Sequence, residues 1–427
     1  MKINVIGGGL AGSEAALQIA RQGIDVFLYE MRPQRLTEAH KTSLFAELVC
    51  SNSLGSLDMK DARGLLKEEA KNLGSLILQV AFKYSLPGGK ALVVDREKFS
   101  KEITKLIEDN PRIKVKRGEV TNFPVDEINV ITTGPLTSSD LLYDMKEKLG
   151  MTSLYFFDAI SPIVTKESLD LSKMFYGARY TETNDYLNSP MTEEEYKTFY
   201  NALINAEKHT PHDFDKVFFE ACLPVEEIAK RGFDSMRFGP LTPVGFNKKY
   251  HAIVQLRREN IEDTLYELVG FQTSLTYAEQ KKVFRLIPGL ENADFERFGS
   301  IHKNSYVKSN EILLSTLQTK KFKNIFIAGQ LCGVEGYTES TVTGLIAGVN
   351  AARLLKDKEL VSVPQDTMLG SLIKFITQNQ LQNPQPMRAN FGLIPQEYFS
   401  INKIKRKEVF IEKSKAEIEK LKEIINE

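Results

Sequence analysis

The stretch that decides the fold is "KINVIGGGLAGSEAALQIARQGIDVFLYE", residues 2–30. Its first five residues form a short apolar strand pattern, and Gly7, Gly9 and Gly12 follow as GxGxxG. Apolar residues then recur at helical spacing, and a second strand pattern ends on Glu30. Glycines in this order allow a tight turn and a close approach of the backbone to a pyrophosphate at the helix N-terminus. The stretch therefore predicts a dinucleotide-binding site of the Rossmann type.

The acid at the end of the second strand completes this pattern. Glu30 lies 18 residues after Gly12, close to the roughly 20 residues expected for the acid that binds a ribose hydroxyl. We expect the cofactor-binding residues of this first part of the chain to be Gly7, Gly8, Gly9, Leu10, Ala11, Gly12 and Glu30.

Two later segments favour FAD over NAD as the dinucleotide. "INVITTGPLTS", residues 128–138, predicts a strand that leads to a turn at Gly134 beside the cofactor. "KNIFIAGQLCGVEGYTESTVTGLIAGVNAARLL" predicts a strand, a glycine-rich loop and a helix from about Glu339 to Leu355. A second unit of this kind is typical of FAD folds, by analogy, and its helix N-terminus would stabilise a reduced flavin. We predict FAD, with Gly329 and Tyr337 as further cofactor-binding residues.

The composition narrows the class of protein. Hydrophobic residues make up 42% and charged residues 26% of the 427 residues, as in an ordinary globular chain. The net charge is zero, with 56 basic and 56 acidic residues, which gives no support to a broadly basic nucleic-acid coat but leaves room for a local basic patch. No apolar run approaches the roughly 20 residues of a membrane span. Because the chain enters a strand at once, we expect no secretory signal. Three scattered cysteines do not form a disulfide framework or a metal site, so we expect a cytoplasmic protein without a metal.

Seven motifs together resemble one known family. From the N-terminus to about Leu393 they read "VIGGGLAGSEAALQIARQGIDVFLYEMRP", "FAELVCSNSL", "FFEACLPVEEIAKRG", "VGFQT", "RLIPGLENA", "AGQLCGVEGYTES" and "QPMRANFGL". The chain thus resembles the bacterial folate- and FAD-dependent tRNA (uracil-5-)-methyltransferases. The resemblance implies that methylenetetrahydrofolate supplies a one-carbon unit, that FAD passes it to C5 of a uridine in RNA, and that NADPH or NADH provides the reducing equivalents. It further implies uridine-54 in the T-loop of tRNA as the target.

Cys222 and Cys50 are the catalytic residues that the resemblance implies, in the motifs "FFEACLPVEE" and "ELVCSNSL". A thiolate that adds to C6 of uracil converts the ring to an enolate whose C5 can attack an electrophile. The C5 proton must then leave, so a second group acts as base. The resemblance makes Cys222 the nucleophile and Cys50 its partner, either as base or as protector of the resting flavin. Without the two motifs each cysteine would more readily be a packing residue, which is the role we expect for Cys332.

The order of the predicted elements along the chain indicates how it is divided. We predict a doubly wound, FAD-binding Rossmann-like α/β fold, split in sequence, with an inserted α+β domain. The FAD-binding domain would comprise residues 1–150 and 320–395, and the inserted, RNA-facing domain residues 151–319. Residues 396–427 predict a charged, amphipathic C-terminal helix.

Several polar residues near these motifs allow two interpretations. Tyr337 would either stack on the flavin or on a base, or anchor its loop. His40 would either move a proton or be structural. Glu339 is expected to complement a helix dipole, and His209 and His212 are expected at the surface.

Two sets of basic residues are candidates for RNA phosphate contacts. The central set comprises Lys230, Arg231, Arg237, Arg257, Arg258, His302 and Lys303. The C-terminal set comprises Lys403, Lys405, Arg406 and Lys407. For the C-terminal set we favour a solvated helix surface, because acidic residues nearly balance the basic ones there.

Three alternatives share part of the pattern. The same chemistry could act on a uridine of 23S rRNA, because the catalytic motifs address uracil and not the shape of the RNA. A flavin oxidoreductase could use Cys50 and Cys222 as a redox pair, and a noncatalytic protein could use FAD as part of an RNA-binding scaffold. The motifs specify neither the folate-contact residues nor the oligomeric state.

Overall fold

The computed structural model describes residues 2–209 and 223–427. The first part of the chain contains β1 (Lys2–Ile6), α1 (Leu10–Arg21), β2 (Asp25–Glu30), β3 (Ser53–Ser56), α2 (Ala62–Asn72), α3 (Leu76–Lys83), β4 (Ser85–Leu86), β5 (Ala91–Val94), α4 (Arg96–Glu108), β6 (Ile113–Arg117), β7 (Asn129–Ile131) and α5 (Ser139–Leu149). The middle contains β8 (Ser153–Ile160), β9 (Ile163–Thr165), β10 (Phe175–Ala178), β11 (Thr181–Met191), α6 (Glu193–Asn205), α7 (Val225–Lys230), β12 (Ala252–Arg258), β13 (Leu265–Leu268), α8 (Tyr277–Phe284), β14 (Phe295–Arg297), β15 (Ser300–Val307) and α9 (Ser309–Ile312). The last part contains β16 (Ile325–Ile327), α10 (Tyr337–Leu355), α11 (Met368–Gln378) and α12 (Lys403–Asn426).

A five-stranded parallel sheet organises the dinucleotide-binding part, in the order β16-β7-β1-β2-β6. Its central strands are short apolar runs, as expected for a parallel sheet that is covered on both faces. β16 pairs with β7 through Phe326 and Val130 although nearly 200 residues separate them. The predicted α/β Rossmann-like fold, doubly wound and split in sequence, is confirmed.

The helix that opens at the glycine-rich turn packs closely against a helix from the end of the chain. A Cβ atom added at Gly344 of α10 would lie 2.2 Å from the Ala11 carbonyl oxygen of α1, and one added at Gly348 would lie 2.8 Å from the Cα of Ala15. Because glycine has no Cβ, the backbones of α1 and α10 can touch at these two positions. The contact joins the two parts of the fold that are separated in sequence.

The inserted part has a sheet and a core of its own. Its six antiparallel strands have the order β10-β11-β12-β13-β9-β14. This core includes Tyr196 and Phe199 of α6, Phe284 of α8, and Phe271. α6 begins at a reciprocal capping box between Thr192 and Glu195. The predicted inserted α+β domain is confirmed, whereas the residue numbers chosen for the domain boundaries stay a prediction.

The C-terminal helix α12 is amphipathic and belongs to the main core. Phe410, Ile418 and Leu421 bury their side chains against the dinucleotide-binding part. Across residues 2–209 and 223–427, no helix is both long enough and apolar enough to cross a membrane.

Candidate functional site

The glycine-rich turn leaves open space at the start of α1. A Cβ at Gly12 would lie 1.7 Å from the Gly7 carbonyl oxygen, and Gly7 itself has φ +101°, so both positions require glycine. A Cβ at Gly9 would meet no atom within 4 Å. Gly9 is also the N-cap of α1 and provides no side-chain hydrogen bond, so the first amides of the helix face a space in which a pyrophosphate fits.

A cleft runs from this turn along the carboxyl ends of the parallel strands. All of the predicted cofactor-binding residues line it except Gly12, which packs against Gly7 instead: Gly7, Gly8, Gly9, Leu10, Ala11, Glu30, Gly134, Gly329 and Tyr337. The requirement for glycine at position 8 was not evident from the sequence. A Cβ there would lie 2.4 Å from the Phe45 ring and 2.9 Å from a carboxylate oxygen of Glu30.

Glu30 is held by Arg32, a buried residue whose role the sequence did not reveal. Arg32 Nε donates to Glu30 Oε1 at 2.9 Å and Nη2 donates to Oε2 at 3.0 Å, while the Gly8 N–H donates to Oε2 at 2.9 Å. Burial opposes ionisation of Glu30, but the hydrogen bonds and charge of Arg32 outweigh it and lower the pKa of this carboxyl. Glu30 is therefore an ionised acceptor, as a ribose hydroxyl requires.

The far wall of the cleft comes from the later segments. Gly134 follows β7 with φ +68°, and Gly329 follows β16 with φ +75°. α10 begins at Tyr337, two residues before the predicted start, and Gly336 gives it no side-chain cap. The N-terminus of α10 thus lies at the cleft, as an FAD fold would place it beside the flavin.

A second cavity, which we call the Cys50 chamber, opens directly from the cleft. Val49, Pro135, Leu136, Gln330 and Tyr337 line both spaces. The rest of the chamber wall includes Cys50, Arg63, Asp158, Gln272, His302, Asn304, Glu335, Glu339 and Arg388. The Cys50 side chain therefore lines a space that adjoins the cofactor cleft.

Tyr337 anchors the loop that carries Cys50. Its phenolic oxygen accepts hydrogen bonds from the backbone N–H groups of Cys50, at 2.9 Å, and Ser51, at 3.2 Å. The sequence offered two interpretations of Tyr337, and the structure shows it as a loop anchor. Tyr337 also lines both the cleft and the chamber.

Half-buried arginines hold the same loop from the other side. Arg297 of β14 donates to the carbonyl oxygens of Cys50 at 2.9 Å and of Val49 at 3.3 Å. Arg96 of α4 donates to the Leu48 carbonyl oxygen at 2.5 Å and pairs with Glu259 at 2.9 Å. The Cys50 loop is therefore fixed by residues of both the dinucleotide-binding part and the inserted part.

The environment of Cys50 keeps it as a thiol. Burial raises the pKa of Cys50, and the carboxylates of Asp158 and Glu267 raise it further, against the opposing charges of Arg297 and Arg96. The polar neighbours in "CSNS", which would favour a thiolate, do not outweigh this burial. A protonated thiol is a weak nucleophile and no base.

Cys222 lies outside the described residues, and so does His212. The residues on either side of that segment are attached to one stretch of the inserted part. The His209 N–H donates to the Ser274 carbonyl oxygen at 2.8 Å, and the Val225 N–H donates to the Gln272 carbonyl oxygen at 2.7 Å. Gln272 lines the Cys50 chamber, so Val225, three residues after Cys222, is bonded to a residue of the chamber wall.

Two acidic residues of the chamber are buried. Burial, together with the nearby carboxylate of Asp158, raises the pKa of Glu335 to about 8, so this carboxyl is largely protonated at neutral pH. Burial likewise raises the pKa of Glu339, which accepts a hydrogen bond from the Ala389 N–H at 3.1 Å. The prediction that Glu339 mainly complements a helix dipole is therefore incomplete, because the residue also ties α10 to the segment after α11.

Two further candidates are His40, which is half-buried, and the third cysteine. Burial, assisted by the charge of Arg32, lowers the pKa of His40 to about 4, so His40 is neutral at pH 7 and does not act as a proton donor there. Cys332 is fully buried, and burial raises its pKa to about 12, which fits a packing residue.

The central basic set does not form one exposed stripe. Arg257 and His302 are buried. Arg257 donates to Asn52 Oδ1 at 2.8 Å and pairs with Glu267 at 2.5 Å, because a buried guanidinium needs a carboxylate partner. The prediction that these two residues track RNA phosphates on the surface is wrong.

Comparisons with known proteins agree with this architecture. The family model of glucose inhibited division protein A matches residues 2–359. The crystal structure of GidA from Aquifex aeolicus superposes with a TM-score of 0.72 at 19% identity, covering 99% of this chain and 74% of that one, which supports the fold.

Two relatives are similar over nearly their whole length. The methylenetetrahydrofolate–tRNA-(uracil-5-)-methyltransferase TrmFO of Aquifex aeolicus is 51% identical over 427 residues, covering 98% of this chain and 96% of the relative. The protein of the same name from Caldicellulosiruptor bescii is 52% identical over 415 residues, covering 96% and 95%. The chain therefore belongs to the GidA family and, within it, to the methylenetetrahydrofolate–tRNA-(uracil-5-)-methyltransferases.

Proposed function

We propose that this protein methylates C5 of a uridine in tRNA, uridine-54 of the T-loop, with methylenetetrahydrofolate as the one-carbon donor. FAD would be the resident cofactor, and NADPH or NADH the reductant. The names of the half-identical relatives support tRNA, folate and the uracil C5 position. The observation that carries the proposal is that the residues flanking the Cys222 segment are bonded to Gln272 and Ser274, and that Gln272 shares a chamber with Cys50.

The cleft residues fit FAD. The pyrophosphate would lie at the open space beside Gly9, and Glu30, ionised beside Arg32, would accept a ribose hydroxyl. The N-terminus of α10, which begins at Tyr337, would face the isoalloxazine ring. Bound there, FAD supplies the transfer of the one-carbon unit and the electrons that reduce it to a methyl group.

The protein's own residues would activate the uracil. The Cys222 sulfur forms a bond to C6, and the displaced electron pair makes C5 nucleophilic toward the one-carbon unit. After transfer, a base removes the C5 proton, the C5–C6 double bond re-forms, and the Cys222 thiolate leaves. The uracil ring thereby regains its C5–C6 double bond, and the uridine gains one methyl group at C5.

Cys50 would act beside this centre. Because its thiol stays protonated in the structure described above, a role as base requires that bound substrate lower its pKa. The charges of Arg297 and Arg96 already act in that direction. A protonated Cys50 would instead shield the flavin between turnovers.

The test is an assay of the purified flavoprotein on an unmodified tRNA transcript with methylenetetrahydrofolate and NADPH. Nucleoside mass spectrometry should detect 5-methyluridine from the wild type and none from Cys222→Ala. The matched control is Cys332→Ala, whose cysteine is buried away from the chamber and which should retain product formation. A transcript with cytidine at position 54 should receive no methyl group.

A 23S rRNA fragment is assayed in parallel. Product on the rRNA fragment and none on tRNA would overturn the tRNA assignment while keeping the chemistry. No product on either RNA from folded, yellow protein would refute the methyltransferase function and favour redox use of Cys50 and Cys222.

A further inference from the structure

A cationic groove lies between the start of α12 and the loop that precedes α2. We call it the Lys60 groove, and its charged lining consists of Lys60, Arg63, Lys90, Arg406 and Lys407 with the carboxylates Asp58 and Asp61. Five cations therefore face two carboxylates in one concave surface. For the C-terminal basic set, the structure thus differs from the expected solvated helix surface, because Arg406 and Lys407 converge with basic residues from two distant segments.

Four of these cations have no carboxylate partner. Within the described part of the chain, Lys60, Lys90, Arg406 and Lys407 form no ion pair. Asp58 accepts the backbone N–H of Lys60 at 2.9 Å, and Asp61 caps α2 through the Arg63 N–H at 2.9 Å. Like charges that are gathered in a groove repel one another, so their convergence favours an anionic ligand.

Two of the cations are held in place by their neighbours. The Arg406 guanidinium stacks 4.3 Å from the Phe399 ring centroid, and Lys407 Nζ lies 4.7 Å from that of Phe391. Lys407 Nζ also donates to the Lys60 carbonyl oxygen at 3.1 Å. Their charges are therefore positioned before any ligand arrives.

The groove adjoins the Cys50 chamber at Arg63, whose side chain lines both. Arg63 comes from α2, in the dinucleotide-binding part. Gln272, whose carbonyl oxygen accepts the Val225 N–H, belongs instead to the wall that the inserted part contributes. Under the function proposed above the uracil would be held at the Gln272 wall, which leaves the Arg63 wall of the chamber to the folate donor.

We propose that the Lys60 groove binds the γ-linked polyglutamate tail of the folate donor. This inference rests on the function proposed above. Each added glutamate contributes one α-carboxylate, so a tail that leaves the chamber past Arg63 would enter a groove that is lined by Lys60, Lys90, Arg406 and Lys407. The contacts are charge pairs at an exposed surface, and their effect weakens as the salt concentration rises.

The experiment compares two donors in the intact flavoprotein. Isothermal titration calorimetry with tetrahydrofolate monoglutamate and pentaglutamate gives the two Kd values, and steady-state methylation of tRNA gives the KM of each methylene form. For the wild type we expect the pentaglutamate to bind at least about tenfold more tightly than the monoglutamate. The ratio of the two Kd values should decrease as the salt concentration is raised from 50 to 300 mM. In Lys60→Ala/Lys90→Ala the ratio should approach one. Both side chains are exposed, so the variant should fold.

Lys101→Ala/Lys105→Ala, on the exposed face of α4, is the matched control and should keep the wild-type ratio. Equal Kd values for the two donors in the wild type would overturn the proposal. So would a groove variant that keeps the ratio and instead raises the KM for tRNA, which would assign the groove to RNA. Failure of the proposed function would look different, since no 5-methyluridine would form with either donor.

Discussion

The phenolic oxygen of Tyr337 lies 2.9 Å from the backbone nitrogen of Cys50, 287 residues earlier in the chain. Through this hydrogen bond the first turn of α10, at the flavin end of the cleft, fixes the loop that carries a candidate catalytic cysteine. The Tyr337 side chain thereby links the geometry of the cofactor site to that of the chamber.

Tyr337→Phe should impair methylation while the protein stays folded. The change removes the acceptor of two backbone N–H groups, those of Cys50 and Ser51, and an unpaired buried donor costs about 1–3 kcal/mol. We expect kcat to fall about tenfold or more, with FAD still bound. Tyr306→Phe, which removes a single hydrogen bond to the Pro384 carbonyl oxygen remote from the chamber, is the control. Wild-type kcat in Tyr337→Phe would show that the phenol does not position the loop.

Cys50 should react slowly with alkylating reagents at neutral pH. Burial and two carboxylates raise its pKa, so its thiolate fraction at pH 7.5 is far below that of a free cysteine with a pKa of about 8.5. Peptide mass spectrometry after iodoacetamide treatment should show a rate that keeps rising up to pH 10. The same peptide in urea should react at the ordinary rate. Rapid labelling of the folded protein with a plateau near pH 7 would contradict this account.

Two glycines of one turn should respond differently to alanine. At Gly9 the new Cβ meets no protein atom, so the apoprotein should keep its Tm within about 2 °C, whereas the Kd for FAD should rise about tenfold or more, or about 1.4 kcal/mol. At Gly12 the Cβ would lie 1.7 Å from the Gly7 carbonyl oxygen, so the fold itself should lose stability. Calorimetry and flavin titration separate the two effects. Unchanged FAD affinity in Gly9→Ala would show that the pyrophosphate does not bind beside Gly9.

Glu69 should make stability depend on pH. This buried carboxyl accepts hydrogen bonds from the Met368 and Leu369 N–H groups, at 2.6 and 2.8 Å, and from Ser414 Oγ of α12 at 2.6 Å. Burial raises its pKa to about 7, so the folded state binds its proton more tightly than the unfolded state does. The resulting contribution, about 3 kcal/mol, is complete below the unfolded pKa of about 4.5 and is lost as the pH rises through about 7.

In Glu69→Gln the fall in the free energy of unfolding between pH 5 and pH 8 should be smaller than in the wild type by about 2.5 kcal/mol, because part of the contribution is already lost at pH 5. Urea titrations at both pH values measure it. Glu68→Gln, on the more exposed side of α2, should show the same fall in the free energy of unfolding as the wild type. An equal fall in the free energy of unfolding for the wild type and Glu69→Gln would show that Glu69 is not the titrating group.

The parts of the fold that the sequence predicted are those encoded locally. The run from β1 through Gly12 to Glu30 contains strand, turn, helix and acid within 30 residues, so its pattern could be interpreted without tertiary contacts. The split of the fold around an insert followed from the second strand, glycine-rich loop and helix near the end of the chain, whereas the pairing of β16 with β7 was not predicted, because no local signal indicates which strands become neighbours.

The parts that were missed depend on contacts between distant segments. The anchoring of Cys50 by Tyr337 and Arg297, and the close approach of Gly344 to Ala11, join residues hundreds of positions apart. Burial also reversed local expectations. Arg257 looked like a surface cation in "QLRREN", yet its pairing with Glu267 depends on β12 lying beside β13.

The most direct test of the account follows the carbon atom that is transferred. The purified flavoprotein is incubated with an unmodified tRNA transcript, NADPH and methylenetetrahydrofolate carrying ¹³C in its methylene group, and the nucleosides are analysed by mass spectrometry. The account predicts 5-methyluridine one mass unit heavier than the unlabelled nucleoside, absent from the Cys222→Ala reaction and unlabelled when the ¹³C is offered in S-adenosylmethionine instead. An unlabelled methyl group from the labelled folate, or a heavy one that persists without Cys222, would contradict it.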